Sequence, residues 1–360
     1  MAHRSLPLLA VTLLASSVLG PGRSPARAAT GAVQGSEPLA GAVIERTVLP
    51  SWREGAARQR LLSFIRTVTT DGGEGYVPPA GRIAVFDNDG TLWAEQPTYV
   101  QLAFAIDRAR RLVIEQPELA ANPVVAAAAA GSGEGALAMG MKGLMELVGI
   151  THSGMTPQTF EAQAREWFDT ACHPSLQRPY TSLTYVPMLE LLDLLRVNGF
   201  RTYIVSAGGG SFMRVISEEL YGIPPEQVIG SSVRTSYVMR GGKPVILRQA
   251  ELEVLNDQAT KPLLIERLIG RPPIAAFGNS DGDRQMLEWT TSLPGNRLGV
   301  LVHHDDAERE WAYDRQSPIG KLDQALDEAP ERGWTVVSMR NDWARVFPEP
   351  DGEAISRPCP

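Results

Sequence analysis

Four polar clusters in this chain carry residue types that act together in catalysis, and each follows a short apolar run or begins a helix pattern. The first cluster, Asp87-Asn88-Asp89-Gly90-Thr91, comes directly after the run IAVF. Two carboxylates two residues apart can share one hard cation and one substrate, and a carboxylate can attack phosphorus to form an aspartyl-phosphate. Gly90 permits a tight turn that aims both carboxylates at one point. The alternative is an Asx-rich turn that only ends a strand.

The second and third clusters supply groups that bind anions. Ser206 is followed by Ala207, Gly208, Gly209 and Gly210, after the run TYIV and before a helix pattern. A hydroxyl and exposed backbone N–H groups at a helix N-terminus form an anion site, although a simple N-cap is the alternative. Lys261 begins the pattern KPLLIERLIG, where it would hold phosphoryl oxygens near carboxylates, unless it is an ordinary surface lysine.

The fourth cluster, Gly278-Asn279-Ser280-Asp281-Gly282-Asp283, follows the run IAAF and offers further oxygen ligands for a cation. A loop with Asx turns is the alternative. Open α/β sheets bind ligands at the carboxyl ends of their strands, so clusters that follow strands are expected to converge there.

The elements that would position these clusters alternate along the chain. Apolar runs bounded by turn residues predict strands, and apolar residues at helical spacing predict the helices between them. A hairpin with a Gly241-Gly242 turn is predicted over 237–247. The alternation predicts an α/β fold with a Rossmann-like parallel sheet flanked by helices. The predicted strands are 82–86, 200–205, 228–232, 274–277, 298–303 and 334–339, and the predicted core helices are 52–70, 187–199, 211–220, 261–269 and 284–289.

The segment 97–180 differs from the rest because it has helix patterns and few strand patterns. Helices are predicted over 99–115, 134–148 and 157–171, with an alanine-rich helix or connector at 125–130. We interpret the segment as a helical cap inserted into a core of 29–96 and 181–360.

The N-terminus predicts export. His3 and Arg4 precede an apolar run over 6–19, and Ala26-Arg27-Ala28 fits a cleavage site, so 1–28 is interpreted as a signal peptide and 29–50 as a flexible leader. An uncleaved anchor is the alternative, although the run is shorter than the roughly 20 apolar residues of a spanning helix. We expect a periplasmic or extracellular chain that is not in the membrane after signal cleavage.

Composition narrows the partners. The 360 residues are 43% hydrophobic and 21% charged, with a net charge of −7, which argues against nucleic acid as a partner. A small phosphorylated substrate needs only a few local cations and remains open. The two cysteines, Cys172 and Cys359, have no framework spacing, so a disulfide and two unpaired thiols both stay possible. The oligomeric state cannot be predicted.

The order of the clusters resembles the haloacid dehalogenase-like (HAD) superfamily, in its phosphoserine-phosphatase-like branch. That superfamily places DxDGT after the first strand, a Ser or Thr after the second, then a Lys, and then an acidic loop after a further strand. All four are present in order over 82–289, with a helical insert where its type-1 caps lie.

The resemblance implies a Mg²⁺-dependent phosphatase. It implies that Asp87 is the nucleophile and a metal ligand, that Asp89 is the general acid/base with its carbonyl on the metal, and that Thr91 supports their loop. Ser206, Ala207, Gly208 and Lys261 would bind phosphate. Because dehalogenases lack the second aspartate of DxD, Asp89 favours phosphate chemistry.

One departure concerns the metal. Asn279 stands where the superfamily commonly has Asp, so we expect weaker metal binding, with Asn279 and Asp283 preferred as ligands and Asp281 third. Three hypotheses remain: a phosphomonoester hydrolase, a phosphotransferase to an alcohol acceptor, and a non-catalytic phosphate binder.

Several further residues are candidates with weaker signals. Trp93, Glu95, Gln96 and Tyr99 are expected near the site entrance. A solvated helix face is the favoured interpretation of Arg108, Arg110 and Arg111. For His303-His304-Asp305-Asp306 a loop is favoured over a second metal site.

Overall fold

A computed structural model describes residues 48–131, 138–349 and 359 of the chain. The predicted signal peptide and residues 29–47 of the leader lie outside the described residues. None of the helices in the described ranges is long and apolar enough to cross a membrane.

An eight-stranded sheet is the centre of the described fold, with the order β4-β3-β2-β1-β5-β6-β7 and with β8 also paired to β6. The pairs β1/β2, β1/β5, β2/β3, β5/β6 and β6/β8 are parallel, whereas β3/β4 and β6/β7 are antiparallel. This arrangement confirms the predicted α/β class. The strands are β1 Ile83–Phe86, β2 Arg201–Gly209, β3 Val228–Arg240, β4 Lys243–Val254, β5 Ala275–Gly278, β6 Leu298–Asp305, β7 Ala312–Tyr313 and β8 Thr335–Ser338.

Helices connect the strands and form the insert. Short 3₁₀ turns lie between several of them, including Asp281–Asp283 at the end of β5. The α-helices are α1 Ala56–Thr69, α2 Val100–Glu115, α3 Pro123–Ala130, α4 Gly140–Thr151, α5 Pro157–Phe168, α6 Val186–Val197, α7 Gly210–Met213, α8 Ser217–Tyr221, α9 Thr260–Ile269, α10 Arg284–Ser292, α11 Gln324–Arg332 and α12 Met339–Asp342.

Helices cover both faces of the sheet, which is why the central strand β1 is apolar at every position. Side chains alternate between the faces along a strand. Ala84 and Phe86 face a core that includes residues of α1 and α6, and Phe86 stacks on Phe277 of β5 with ring centroids 4.3 Å apart. Ile83 and Val85 face a second core that includes residues of α9, α10 and α11. The end of β1 is therefore fixed from two sides.

The described part of the insert consists mainly of helices α2, α3, α4 and α5, as the periodicity predicts. Its own small core includes Leu102, Ile106, Val125 and Leu147. The insert and the sheet belong to one compact unit, so the predicted boundaries at 97 and 180 remain a prediction. Cys172 of the insert is disulfide-bonded to Cys359, which resolves the alternative that the spacing left open.

The structure differs from the predictions in several elements. The predicted helix 211–220 is divided into α7 and α8, because Val215 and Ile216 between them turn into the core. Strand β2 continues four residues beyond 205, to Gly209. The β3–β4 hairpin is much longer than 237–247, although its turn is at the predicted glycines Gly241 and Gly242, both with positive φ. Helices α11 and α12 and strand β7 are absent from the predictions.

Candidate active site

The loop after β1 is a tight turn that carries Asp87 and Asp89. The Asp87 amide donates to the Phe277 carbonyl at 2.9 Å. The Asn88 carbonyl accepts from the backbone amides of Thr91 and Leu92. Gly90 has φ 73°, and a Cβ there would collide with the side chains of Asn279 and Glu95. Only glycine satisfies both the conformation and the space, so the turn brings the first and fourth clusters into contact.

Lys261 joins Asp87 to Asp283. Its Nζ lies 3.0 Å from Asp87 Oδ1 and 2.5 Å from Asp283 Oδ1, and the lysine is 1% exposed. Burial lowers the lysine pKa, but the carboxylates of Asp283 and Asp87 outweigh burial and hold that pKa above its usual value. Lys261 is therefore charged and buried, and not the surface lysine that the sequence left as an alternative.

Asp87 has an environment that disfavours its charge. Burial raises its pKa to about 7, the charge of Asp283 adds to the increase, and Lys261 opposes it. Asp89 is half-buried, and burial raises its pKa to about 6 although its Oδ1 accepts a hydrogen bond from Trp93 Nε1 at 2.8 Å. Burial thus raises the pKa of both carboxyl groups at this strand end, and clusters of such perturbed groups are common at functional sites.

The stretch from Ser206 to Gly209, at the end of β2, lies opposite Asp89. A Cβ on Gly208 would be 3.3 Å from Asp89 Oδ2 and 3.5 Å from Ser206 Oγ, so this stretch passes close to the carboxylate. Ser206 is 1% exposed, and its Oγ accepts from the Gly208 amide at 3.2 Å. The Ala207 carbonyl accepts from Ser231 Oγ at 2.7 Å. The segment is the extended end of β2, and only a four-residue helix follows it. The predicted anion site therefore lies on strand backbone and not at the N-terminus of a long helix.

Asn279 is held by side chains from two directions. Its Nδ2 donates to Glu95 Oε1 at 2.7 Å, and its Oδ1 accepts from Thr91 Oγ1 at 3.0 Å. Glu95 is 2% exposed and also accepts from Tyr313 OH at 2.8 Å, while burial raises its pKa well above the usual value. In this orientation of the amide, the Asn279 nitrogen donates to Glu95 and the Asn279 oxygen accepts from the Thr91 hydroxyl.

The other two candidates for a metal have protein partners. Asp283 Oδ2 accepts from the Asn279 amide at 3.0 Å, and from the Ser280 amide and hydroxyl at 3.1 and 3.2 Å, in addition to the Lys261 contact at its other oxygen. Asp281 Oδ1 accepts from the amides of Asp323 and Ala325 near the start of α11. Asp283 therefore positions Lys261 and the loop, and Asp281 fixes α11.

The adjacent histidines lie in strand β6 and not in a loop, so the loop interpretation is wrong. His304 is buried, its Nε2 is 2.7 Å from the Gly90 carbonyl, and its Nδ1 is 3.0 Å from Glu310 Oε2. His303 is on the opposite side of the strand, 3.4 Å from Asp314. His304 thus contacts the Asp87–Thr91 turn through the Gly90 carbonyl, a role that no sequence pattern predicts.

The cluster forms the floor of a cavity of about 690 Å³ between the sheet edge, the insert and the β3–β4 hairpin. Glu95 and Tyr99 line it as expected, whereas Trp93 and Gln96 do not. None of the three arginines of α2 lines the cavity; two are half-exposed, but Arg108 is 7% exposed, so the solvated-face interpretation is wrong for it. Sequence reasoning missed Gln101, His152 and Arg248, which line the cavity. Single polar residues on a helix and a strand carry no spacing signal.

The chemistry of several oxygen atoms in the site suits a hard divalent cation. Asp87 and Asp89 line the cavity, and the Asp87 carboxylate, the Asp89 carbonyl and the buried Asn279 side-chain oxygen are the donor types that Mg²⁺ prefers. Asp87 Oδ1 makes no hydrogen bond to the described residues, and its one nearby cation, Lys261, also serves Asp283. Within the described ranges no group of three His, Cys, Asp or Glu side chains is placed to hold a metal. A set of one carboxylate and two carbonyls is compatible with both facts.

The structure thus combines a mainly parallel sheet with an aspartate at the end of its central strand and a buried lysine beside that aspartate. The family model for haloacid dehalogenase-like hydrolases matches residues 84–288. The chain belongs to that family.

Comparison with solved structures shows the fold and not the substrate. A functionally unknown protein from Anaerococcus prevotii aligns over 78% of this chain and 91% of its own, with 16% identity and a TM-score of 0.51. A protein of unknown function from Bordetella pertussis covers 71% and 97%, with 17% identity and a TM-score of 0.44. A probable phosphoserine phosphatase from Vibrio cholerae covers 71% and 68%, with 17% identity and a TM-score of 0.35. No curated protein matches the chain. The phosphoserine-phosphatase-like branch therefore stays a prediction.

Proposed function

We propose that this hydrolase is a Mg²⁺-dependent phosphomonoesterase that acts on a small phosphorylated substrate through an aspartyl-phosphate on Asp87. The observation that carries the proposal is the ion pair between Asp87 and the buried Lys261, with Asp89 in the same turn. A lysine that touches the nucleophile is placed to hold the oxygens of a phosphoryl group bound there.

The residues would act in two steps. An oxygen of Asp87 attacks phosphorus, the bond to the ester oxygen breaks, and Asp89 gives its proton to that leaving oxygen. A water molecule then attacks the phosphoryl group on Asp87, Asp89 takes the proton of the water, and phosphate and free Asp87 are released. The pKa of Asp89, raised to about 6 by burial, suits a group that both gives and takes a proton near neutrality. Lys261 and Ser206 would orient the phosphoryl oxygens throughout.

Mg²⁺ would be held by the Asp87 carboxylate, the Asp89 carbonyl and Asn279 Oδ1, and it would neutralise charge on the phosphoryl oxygens. The partners of Asp283 favour a supporting role for that residue over direct ligation. The Glu95 network fixes the neutral Asn279 ligand, so a carboxylate is not required for orientation.

The test is hydrolysis of p-nitrophenyl phosphate by the mature chain with Mg²⁺ and with EDTA. Asp87→Asn should lower kcat by at least about 1,000-fold, as for other nucleophile deletions. Asp193→Asn, an exposed aspartate on α6, is the control and should keep full activity. Thermal unfolding of each variant checks folding. Full activity in Asp87→Asn refutes the assigned nucleophile.

The same assay separates the other hypotheses. Alkyl phosphate formed in the presence of an added alcohol identifies a phosphotransferase. Phosphate binding without turnover over a broad panel of phosphomonoesters identifies a non-catalytic binder.

We also propose that the chain is exported, to the periplasm or the exterior. The signal-type N-terminus supports this, and so does the Cys172–Cys359 disulfide, because disulfides persist in oxidising compartments. Cell fractionation with N-terminal sequencing should find a chain that begins near Ala29 outside the cytoplasm. A full-length cytoplasmic chain refutes the proposal.

A further inference from the structure

Arg248 is a buried arginine in the wall of the cavity. It is 6% exposed and lies on β4, on the long hairpin that covers one side of the cavity. Its Nε donates to the His152 carbonyl at 2.7 Å, and its Nη1 donates to Ser211 Oγ at 2.8 Å. Its guanidinium carbon lies 4.2 Å from the ring centroid of Phe160. The guanidinium is thus fixed by groups that are all neutral.

Arg248 differs from the other basic side chains of the cavity in having no counter-ion. Lys261 contacts Asp87 and Asp283, as described above. Arg284 is 2.6 Å from Glu328, and Lys321 is 3.4 Å from Asp323. No carboxylate of the described residues lies within ion-pair distance of Arg248, and its Nη2 donates to none of their acceptors.

Neither deprotonation of Arg248 nor a charge on the neighbouring His152 removes the positive charge of Arg248 or balances it. Burial alone lowers its pKa to about 10, so it stays charged at neutral pH. Burial, with the charge of Arg248, lowers the pKa of His152 to about 3, so that ring is neutral. A buried charge without a partner is strongly unfavourable unless something supplies the opposite charge.

His152 is also held in one orientation. The Gly209 amide donates to Gln101 Oε1 at 2.7 Å, and Gln101 Nε2 lies 3.3 Å from His152 Nε2. The other ring nitrogen is 2.7 Å from Thr151 Oγ1, whose hydroxyl donates to the Leu147 carbonyl. With Gln101 as donor, His152 Nε2 accepts and Nδ1 carries the proton. The imidazole is therefore committed to this network and does not compete for an anion.

The cavity between Arg248 and the catalytic floor has an apolar wall. Leu144, Met145 and Val148 of α4 and Phe212 of α7 line it. The organic part of a substrate bound there would be shielded from water by this wall, so an apolar organic group would bind more tightly than a polar one.

We propose that Arg248 binds a second anionic group on the organic part of the substrate while the ester phosphate lies at Asp87. The preferred substrate is then a phosphomonoester with a compact apolar body and a carboxylate or a further phosphate. This proposal rests on the proposed function, because it takes Asp87 as the phosphate end. A guanidinium and either anion form the same charge-assisted, often bidentate, hydrogen bonds.

The test measures binding, and turnover is recorded separately. Calorimetry in Mg²⁺ compares benzylphosphonate with 3- and 4-(phosphonomethyl)benzoate and with p-xylylenediphosphonate, which adds a second phosphonate. The wild-type chain should bind at least one of the three ligands that carry a second anionic group about 10- to 100-fold more tightly than benzylphosphonate, as a charge-assisted contact gives. Preference for the carboxylate or for the second phosphonate identifies the anion.

Arg248→Gln should remove this preference and leave the affinity for benzylphosphonate within about twofold. Arg248→Lys keeps the positive charge but lacks the planar guanidinium group with its paired donors, so it should retain part of the preference. Arg234→Gln, an exposed arginine of the same hairpin paired with Glu251, is the matched control and should behave as wild type.

Two outcomes overturn the proposal. One is equal affinity of the wild-type chain for all four ligands, which needs no variant to fold. The other is an equal loss for every ligand in Arg248→Gln, because that pattern belongs to a residue that only fixes the hairpin. Failure of the proposed function looks different: no aryl phosphate is hydrolysed, while the difference between the ligands remains.

Discussion

Replacement of Lys261 by methionine tests the central electrostatic feature of the site. The substitution keeps most of the volume and removes the charge that lies between Asp87 and Asp283. Both carboxylates are then left buried, with 7% and 0% of their residue surfaces exposed. Removal of one partner from a buried ion pair destabilises proteins by about 3–5 kcal/mol. Asp283 keeps three hydrogen bonds from Asn279 and Ser280, so we expect the lower end, about 3 kcal/mol.

A double-mutant cycle separates charge from packing. The Lys261→Met, Asp283→Asn double variant also removes the buried carboxyl group of Asp283, so the free energy of unfolding should recover by about 1–2 kcal/mol relative to Lys261→Met. Phosphatase activity should not recover, since the contact to the phosphoryl group is still missing; we expect kcat about 100- to 1,000-fold below wild type in both.

The assay is urea unfolding in EDTA, followed by tryptophan fluorescence, so that metal binding does not contribute. A loss of less than about 0.5 kcal/mol in Lys261→Met, the usual effect of a surface substitution, would refute the claim that Lys261 neutralises this site. A double variant no more stable than Lys261→Met would refute the claim that Asp283 is its main partner.

Three further predictions follow from other contacts. Glu95→Leu removes the acceptor of the Asn279 side-chain amide and should weaken Mg²⁺ binding about 10-fold by calorimetry, as loss of a partner behind a ligand does; unchanged affinity contradicts this role. Cys172→Ser opens the bond to Cys359 and should reduce the free energy of unfolding by about 2–4 kcal/mol. A reductant should have that effect on the wild type and none on the variant. Gly230→Ala places a methyl 2.5 to 2.7 Å from backbone atoms at the end of β2 and the start of α7, so it should lower stability by about 1–3 kcal/mol and reduce activity. Unchanged melting and activity would show that this close approach is not required.

The catalytic half of the site was predictable because its parts depend on local sequence. Each apolar run before a polar cluster is a buried strand, and the parallel strands bring Asp87, Ser206 and Asn279 to one edge. Lys261 follows from the same order, since it begins the helix between β4 and β5. The structure brings these residues together, while their chemical roles await the experiments above.

The side-chain contacts of the candidate metal ligands were not predictable, because these contacts depend on tertiary packing. Asp283 is predicted as a metal ligand by its spacing, which stays a prediction; its contacts to the Asn279 amide and to Lys261 depend on the turn at Ser280 and could not be predicted. Glu95 lies far from Asn279 in sequence, and the two side chains meet because the tight turn at Gly90 leaves no room for a side chain between them. The disulfide had no signal either, because its cysteines are separated by 187 residues.

The recognition half of the site is built on different elements from the catalytic half, and its position is coupled to the insert. Arg248 pairs through its backbone with the loop after α4: its carbonyl accepts from the Gly154 amide at 2.9 Å, and its amide donates to the Met155 carbonyl at 3.0 Å. A Cβ on Gly149 would lie 2.9 Å from the Ala250 carbonyl, so helix α4 approaches the hairpin closely. Both the backbone of Arg248 and its Nε are therefore bonded to the insert, whereas Asp87 and Lys261 lie on the loop after β1 and on α9. Substitutions at this contact should change which organic group is bound before they change the rate of the chemical step.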